Sequence, residues 1–474
     1  MSNPIVKRYC LLLEGKLASP LLAGSGKDMV TDCDVIVDAS GNPYLPGSSV
    51  AGASLHYLKA SFPDQTAPLT NLFGSRDGYR SRLYCYHTEL LPTVPGEKVL
   101  LSHRDGVKLD EYKTADDQAK YEMQIVESGT SFRMRLEWIL REDSLEREDE
   151  EEAIICMIID GIAKGELTFG AKSRRGFGRL GLDRVSVASF RHLRDTEKDS
   201  LRWLDWGWDL NEFDYSIMWE IDKSTLRQVD NDCLRTLRAN SSWHELRIPL
   251  AVSQTIMIRQ YKTPLSDDVD YEQLTGGVHG RPVIPGMSWA GAIRRHLLQI
   301  IQETGSDQNL AALKISQLFG SMTNGAAENR NRLKASLLRI EETEIIGGTA
   351  LLTSRTAVDR FTGGVKSGAL FTTRPWVHGH VELVIRWMEP REYLLSNESG
   401  LSQEAICGLL LWVVRDLQEG LLPIGGETAV GRGVLKQAGE IRLDGEIIND
   451  VFESRCSREA LLWCTRQHKE MSRL

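Results

Sequence analysis

The sequence lacks the cysteine spacing of a stapled or zinc-bound protein. It holds eight cysteines among 474 residues and no C-x-x-C pair, Cys456 and Cys464 being the nearest two. Neither a disulfide framework nor a structural zinc site fits that scatter, and a reducing cytoplasm is the expected compartment. A positive surplus is also missing. Lys and Arg number 57 against 66 Asp and Glu, for a net charge of −9. That balance excludes nucleic-acid binding by bulk charge, so any RNA or DNA contact must be local. Long apolar runs are absent too: the longest, 153–159 and 406–414, are too short to cross a bilayer, and no membrane partner is expected. The short apolar run 10–13 has no small-residue cleavage site behind it, so no signal peptide is expected.

What is present is ordinary globular material, 41% hydrophobic and 26% charged, with a length that reads as two domains. The chain repeats itself. LPGSSVAG at 45–52 returns as IPGMSWAG at 284–291. LFGS at 72–75 returns at 318–321, and the glycine-rich GAKSRRGFGRL from Gly170 returns as GGETAVGRGVL from Gly425. Three motif pairs in the same order mark a duplicated domain of roughly two hundred residues.

Within one copy the order reads strand, loop, helix, strand, polar excursion, strand, helix, glycine loop, strand. Residues 8–15, 82–90, 131–140 and 180–187 have strand character, and 149–164 is a helix. That mixture predicts an α+β class, two tandem ferredoxin-like (RRM-like) domains with antiparallel sheets. The domains are expected at 1–190 and 243–445. An acidic, tryptophan-rich connector (Trp203, Trp206, Trp208) spans 191–242, and a tail spans 446–474. The block EREDEEE at 146–152 reads as the acidic start of a helix.

The hub of each copy is its strand–turn–helix. In the first, Ser48 or Ser49 is placed to cap the helix, and a glycine-serine turn at a helix N-terminus is an anion site. Asp28, Asp32, Asp34 and Asp38 crowd the upstream side, which suggests phosphodiester chemistry. Basic residues cluster locally: Lys172, Arg174, Arg175 and Arg179, with Ser173 in the same loop; Arg294, Arg295 and His296; Arg330, Arg332 and Lys334. Arg355 and Arg360 flank the second polar excursion. The basic residues of the glycine loop are candidates to meet phosphates.

Together these motifs resemble the RAMP (repeat-associated) superfamily of CRISPR–Cas systems, and in particular the backbone ribonuclease subunit of type III effector complexes, with two domains fused as in subtype D. The resemblance implies partners: CRISPR RNA, a single-stranded target RNA and other type III effector subunits. It implies that the excursions 102–123 and 353–371 are thumb hairpins interrupting the guide–target duplex. It implies RNA contacts from Ser48, Ser49, Lys172, Ser173, Arg174, Arg175, Arg294, Arg295, Arg355 and Arg360. It places the catalytic acid on Asp32, as a base for the 2′-hydroxyl or as the ligand of a divalent cation, Mg2+ or Mn2+. His103 is at most a helper. In the second copy, counting back from Pro285 lands on Tyr271. Asp267, Asp268 and Asp270 lie beside it, and Asp268 or Asp270 is the candidate for a second cut. The expected activity is thus RNA-guided, metal-dependent endoribonuclease. The alternative is a scaffold that binds RNA without cutting. A guide-processing ribonuclease is disfavoured, because no paired histidines stand near the hub, and the cyclase subunit is excluded by the absence of Gly-Gly-Asp-Asp.

Overall fold

The computed structural model of the chain describes residues 3–26, 33–62, 66–74, 80–109, 115–191, 197–208, 217–222, 225–226, 243–261, 269–320, 335–389 and 401–466. These fall into two compact units, one of residues up to Ser242 and one from Trp243 on, with Arg174–Gly176 grouped with the second. Both are α+β, as the sequence order predicts.

In the first unit the central strand β1 (Ile5–Leu17) is followed in sequence by β2 (Gly24–Gly26), β3 (Asp34–Val35) and the hub helix α1 (Gly47–Ser61); its two neighbours in the sheet come later. Helix α2 (Thr66–Phe73) and strand β4 (Leu83–Cys85) lead to a long hairpin, β5 (Leu101–Leu109) and β6 (Ala115–Val126). Strand β7 (Ser131–Arg141), helix α3 (Glu148–Ala163) and strand β8 (Leu180–Arg191) complete the motif. β1 lies between β7 and β8, antiparallel to both. Alternation on β7 buries Phe132, Met134 and Leu136 beneath the helices.

Helix α3 has Glu148, Asp149, Glu150 and Glu151 in its first turn, where carboxylates complement the helix dipole, and a buried apolar run from Ala153 to Ile159 behind them. The acidic block is not wholly solvated. Glu151 turns inward to an ion pair with Arg82, and the Trp138 indole N–H donates to it at 2.8 Å. Burial pushes its carboxyl up, against the pull of these two partners.

The stretch expected as a connector adds to this sheet. Strand β9 (Ile217–Asp222) pairs antiparallel with β8, Val187 opposite Ile217 and Arg184 opposite Glu220. Helix α4 (Glu197–Leu204) precedes it. Phe190 meets Trp203 and Trp206 edge-on, at ring-centre distances of 5.3 and 5.1 Å, and the Arg8 guanidinium lies 4.4 Å from the Trp203 ring.

The second unit repeats the plan. Its strands include β10 (Trp243–Val252), β11 (Arg259–Tyr261), β12 (Tyr271–Gln273), β13 (Leu338–Ile340), the hairpin β14 (Thr353–Val358) and β15 (Val365–Arg374), and β16 (His380–Met388). Its helices include the hub α5 (Gly286–Glu303), α6 (Gln308–Phe319) and α7 (Gln403–Gln418). Ser402 caps α7 by accepting the Ala405 N–H at 3.1 Å. The core gathers around Trp289 and Trp387, both fully buried. Helix α8 (Asp450–Thr465), the helix-like part of the tail, packs on α7 and puts Cys456, Ala460 and Trp463 into that same core.

The duplication holds at the level of single hydrogen bonds. Phe169 N–H donates to Gly178 O at 2.9 Å, and Ile424 N–H to Gly433 O at 2.9 Å. Gly178 N–H reaches Pro20 O at 2.7 Å, and Gly433 N–H reaches Thr255 O at 2.7 Å. Ser81 Oγ donates to Leu72 O and Leu83 O, as Ser336 Oγ does to Leu318 O and Leu338 O. The Leu-Phe-Gly of this motif is thus the exit of the second helix, whose Leu carbonyl is covered by a serine two residues ahead of the returning strand.

Candidate nucleic-acid interface

The hub turns do not hold an open anion cradle of the expected kind. Helix α1 is capped by Pro46 and α5 by Pro285, with no side-chain cap on either. Ser48 and Ser49 therefore do not cap. Ser49 and Val50 donate their N–H groups to Pro46 O, at 2.9 and 3.1 Å. The Gly47 N–H is taken by His87 Nδ1 at 3.0 Å, which fixes the imidazole proton on Nε2 when neutral. Gly47 is glycine for packing: a Cβ there would stand 2.1 Å from Cys85 O. Gly286 repeats this against Ile340 O at 2.3 Å. The turn toward Gly47 also explains why 82–90 is two strands, Leu83–Cys85 and Thr88–Leu91, rather than one.

Of the acids, Asp28, Asp32, Asp267 and Asp268 lie outside the described residues. Asp38 closes the turn behind β3, its carboxylate accepting the Ser40 and Asn42 N–H groups at 2.8 Å each. These bonds hold its carboxyl below the usual range. Asp270 is exposed. Its N–H donates to Thr372 O and its Oδ2 accepts the Thr372 N–H, both at 2.8 Å.

Sheet register corrects the count back from Pro285. Cys33 bridges Met123 in parallel, and Tyr271 pairs with Thr373 in parallel. Val35 stands opposite Gly24, and Gln273 opposite Arg259. Ile36 N–H donates to Ala23 O, and Leu274 N–H to Ile258 O, at 2.8 Å in both. Tyr271 thus answers to Cys33, and the residue before each is Asp270 and Asp32. The count slipped because Val37 alone fills the place of Thr275 and Gly276. The turns just beyond match again, Gly41 to Asp38 and Gly280 to Gly277, at 3.0 Å each.

Both expected thumbs are hairpins. The first, β5–β6, pairs Leu101 with Val126 through Val107 with Lys120; His103 is exposed on it. The second, β14–β15, presents apolar side chains instead of burying them: Val358, Val365 and Leu370 are more than half exposed, and Phe361 at the tip is 99% exposed. Asp359 secures the tip turn by accepting the Phe361 and Thr362 N–H groups at 2.9 Å each, which lowers its carboxyl pKa.

The glycine loops place the basic residues. Ser173, Arg174 and Arg175 form one 3₁₀ turn. Lys172, just before it, is left-handed at φ 57°, and its ammonium lies 3.9 Å from the centre of the Tyr121 ring on β6. Burial lowers the pKa of Arg174. Arg294 is half-buried and Arg295 exposed on α5, while the neighbouring His296 pairs with Asp416. Arg360 is exposed at the tip of the second hairpin. The cluster of Arg330, Arg332 and Lys334 lies outside the described residues.

The sequence reading missed one set. Glu427 holds the left-handed position that Lys172 holds in the first unit, at φ 56°. Its carboxylate meets Arg432 Nε at 3.2 Å, Arg355 Nη1 at 3.6 Å and Arg259 Nη2 at 4.0 Å. Arg259 also stacks over Tyr271, 5.0 Å from the ring centre. Only the alignment of the two glycine loops, Lys172 on Glu427, could have signalled it.

Comparison with known proteins identifies the class. The family model of the RAMP superfamily matches this chain twice, over residues 15–181 and 268–436, and the chain belongs to that superfamily. It is a tandem-domain member, with RNA binding in CRISPR-associated assemblies as the theme of the family. No curated protein matches it. Among the described residues no helix is long and apolar enough to cross a membrane.

Proposed function

We propose that this chain is a backbone subunit of a type III CRISPR effector, which holds CRISPR RNA and cuts complementary target RNA at the bases of its two hairpins. The observation that carries the reading is the second hairpin, whose solvent-facing Phe361, Val365 and Leu370 are suited to wedge between stacked bases. Unstacking matters because in-line attack by a 2′-hydroxyl needs a backbone conformation that a regular duplex denies. Asp32 in the first unit is the acid of the cut. Asp270, its counterpart by register, is the acid of a second cut, ahead of Asp268.

A carboxylate beside the scissile phosphate takes the hydroxyl proton or helps to hold Mg2+ or Mn2+; the first role is worth about 10²–10⁴-fold. Among the described residues no three His, Cys, Asp or Glu converge on one point. A lone exposed carboxylate such as that of Asp270 fits an ion held mainly by water and substrate phosphates, the usual habit of Mg2+. The bound cation would neutralise the phosphate; orientation of the strand falls to the hairpin and the glycine loop.

A non-cleaving second unit is favoured by one fact, that Asp270 already commits Oδ2 to the Thr372 N–H. The test is the assembled complex with matched target RNA and Mg2+. Asp32→Ala is expected to erase one cut and Asp270→Asn another, with RNA binding kept, while Tyr271→Phe leaves both. Persistence of every cut in both acid variants sinks the assignment; a loss confined to Asp32→Ala leaves the second unit a scaffold. A product ending in a 2′,3′-cyclic phosphate marks hydroxyl attack.

A further inference from the structure

We propose that Glu427 is a built-in stand-in for a phosphate: its carboxylate occupies, among Arg259, Arg355 and Arg432, a site for one phosphodiester of single-stranded RNA, and it must yield when RNA binds there. This rests on the RNA-binding reading above and adds a regulatory contact to it.

Three guanidiniums share one carboxylate, so the cluster keeps a surplus of positive charge. Its spacings of 3.2, 3.6 and 4.0 Å show one oxyanion spread over three forks rather than a tight bidentate pair. Arg432 is 2% exposed, and its Nη1 has no hydrogen-bond partner among the described residues. Its Nη2 donates to Thr373 Oγ1 at 3.2 Å, which fixes the guanidinium at the foot of β15. A buried guanidinium N–H without an acceptor is costly. A phosphodiester carries the same single charge on two non-bridging oxygens, but sets them and its two weaker ester oxygens tetrahedrally rather than in a plane, so it can reach donors that a planar carboxylate leaves without an acceptor. The other two guanidiniums are open to a ligand, with Arg259 at 43% and Arg355 at 48% side-chain exposure.

The first unit shows that the cluster is a set. By hairpin register Gly106, opposite Tyr121, answers to Arg355, opposite Phe371. Gly24, opposite Val35, answers to Arg259, opposite Gln273. In the loop, Phe177 stands where Arg432 does, one residue before Gly178 and Gly433. All three arginines are therefore missing where the acid is missing, and the acid's place is taken by Lys172. Had the arginines served only to anchor the loop, the first unit would need a substitute; its loop keeps the same backbone hydrogen bonds without them.

The test measures binding of a fluorescein-labelled single-stranded RNA to the full chain by anisotropy across a salt series. Glu427→Gln keeps the size and the backbone position of the side chain. It is expected to tighten binding about five- to tenfold and to steepen the dependence of log K on log salt by about 0.7, one more phosphate contact. Glu427→Lys, which copies the first unit, is expected to bind at least as tightly. Arg355→Gln is expected to weaken binding, and more so in the Glu427→Gln background, because the two act at one site. Unchanged or weaker binding in both Glu427 variants overturns the proposal while the RNA reading stands. Failure of the unaltered chain and every variant to bind overturns the RNA reading itself. Thermal melting of each variant separates a lost site from a lost fold.

Discussion

Gly433 carries more of the second glycine loop than any charged neighbour. Its φ is 79°, and a Cβ there would lie 1.9 Å from the carbonyl oxygen of Ile424, the residue whose N–H donates to Gly433 O. Left-handed backbone and a carbonyl collision add, so Gly433→Ala is expected to cost about 3 kcal/mol or more. Gly431, two residues earlier, also has a positive φ, 88°, but open space where a Cβ would go. Gly431→Ala is expected to cost about 1 kcal/mol, the backbone part alone. Chemical denaturation of the two variants checks this, and equal losses would show that the collision is relieved by a shift of the loop. The sequence displayed the pair of glycines but not their difference, because the difference depends on what lies opposite in space.

At the scale of elements, periodicity was a good guide wherever one face is buried. Strands β1 and β7 and helices α3 and α7 lie where alternation and apolar spacing put them, whereas the two hairpins were expected from the family resemblance and not from any period. It failed where a side chain from afar intervenes. His87 turns aside to meet Gly47, which splits one expected strand into two. The acidic block does start helix α3, as expected; what a single sequence does not show is that Glu151 turns from it to Arg82 and Trp138. The tail had no place in the duplicated plan, and the structure shows why: α8 has no counterpart among the described residues of the first unit and is clipped onto α7 and α6 by contacts invisible in a single sequence. A Cβ on Gly408 of α7 would sit 2.1 Å from Cys456 O of α8. Buried Lys314 of α6 donates to Cys464 O at 2.5 Å and Arg466 O at 3.1 Å, at the last turn of α8. Gly408→Val is therefore expected to prise α8 from α7, at a cost of about 2 kcal/mol or more, and to open the buried Cys407 thiol to a thiol reagent under native conditions. If the variant melts like the parent and Cys407 remains unreactive, α8 is not held by that close approach.

Across the whole molecule, one ancestral plan has been kept in its hydrogen bonds and rewritten in its charges. The backbone bonds of the glycine loop recur almost to the tenth of an ångström in both units, whereas Lys172 faces an aromatic ring and Glu427 faces three arginines. Repeats made the fold legible, since three motif pairs sufficed to reveal two domains. The counterpart of Asp32 was narrowed only to Asp268 or Asp270, since a single extra residue ahead of a turn shifts every count made across it, and only pairing between strands restores the register. The same facts bear on how the chain folds. The second unit has its own sheet, its own hub helix and a core built around Trp289 and Trp387 that includes α8. A fragment of that size buries enough surface to be stable alone. Residues 243–474 expressed separately are expected to melt in one cooperative step, and calorimetry of the full chain is expected to resolve two transitions, one of them matching the fragment. Removal of α8 from the fragment should abolish that step, because Cys456, Ala460 and Trp463 belong to its core. A fragment that stays unfolded would mean that the duplicated domains became dependent on each other after they were joined.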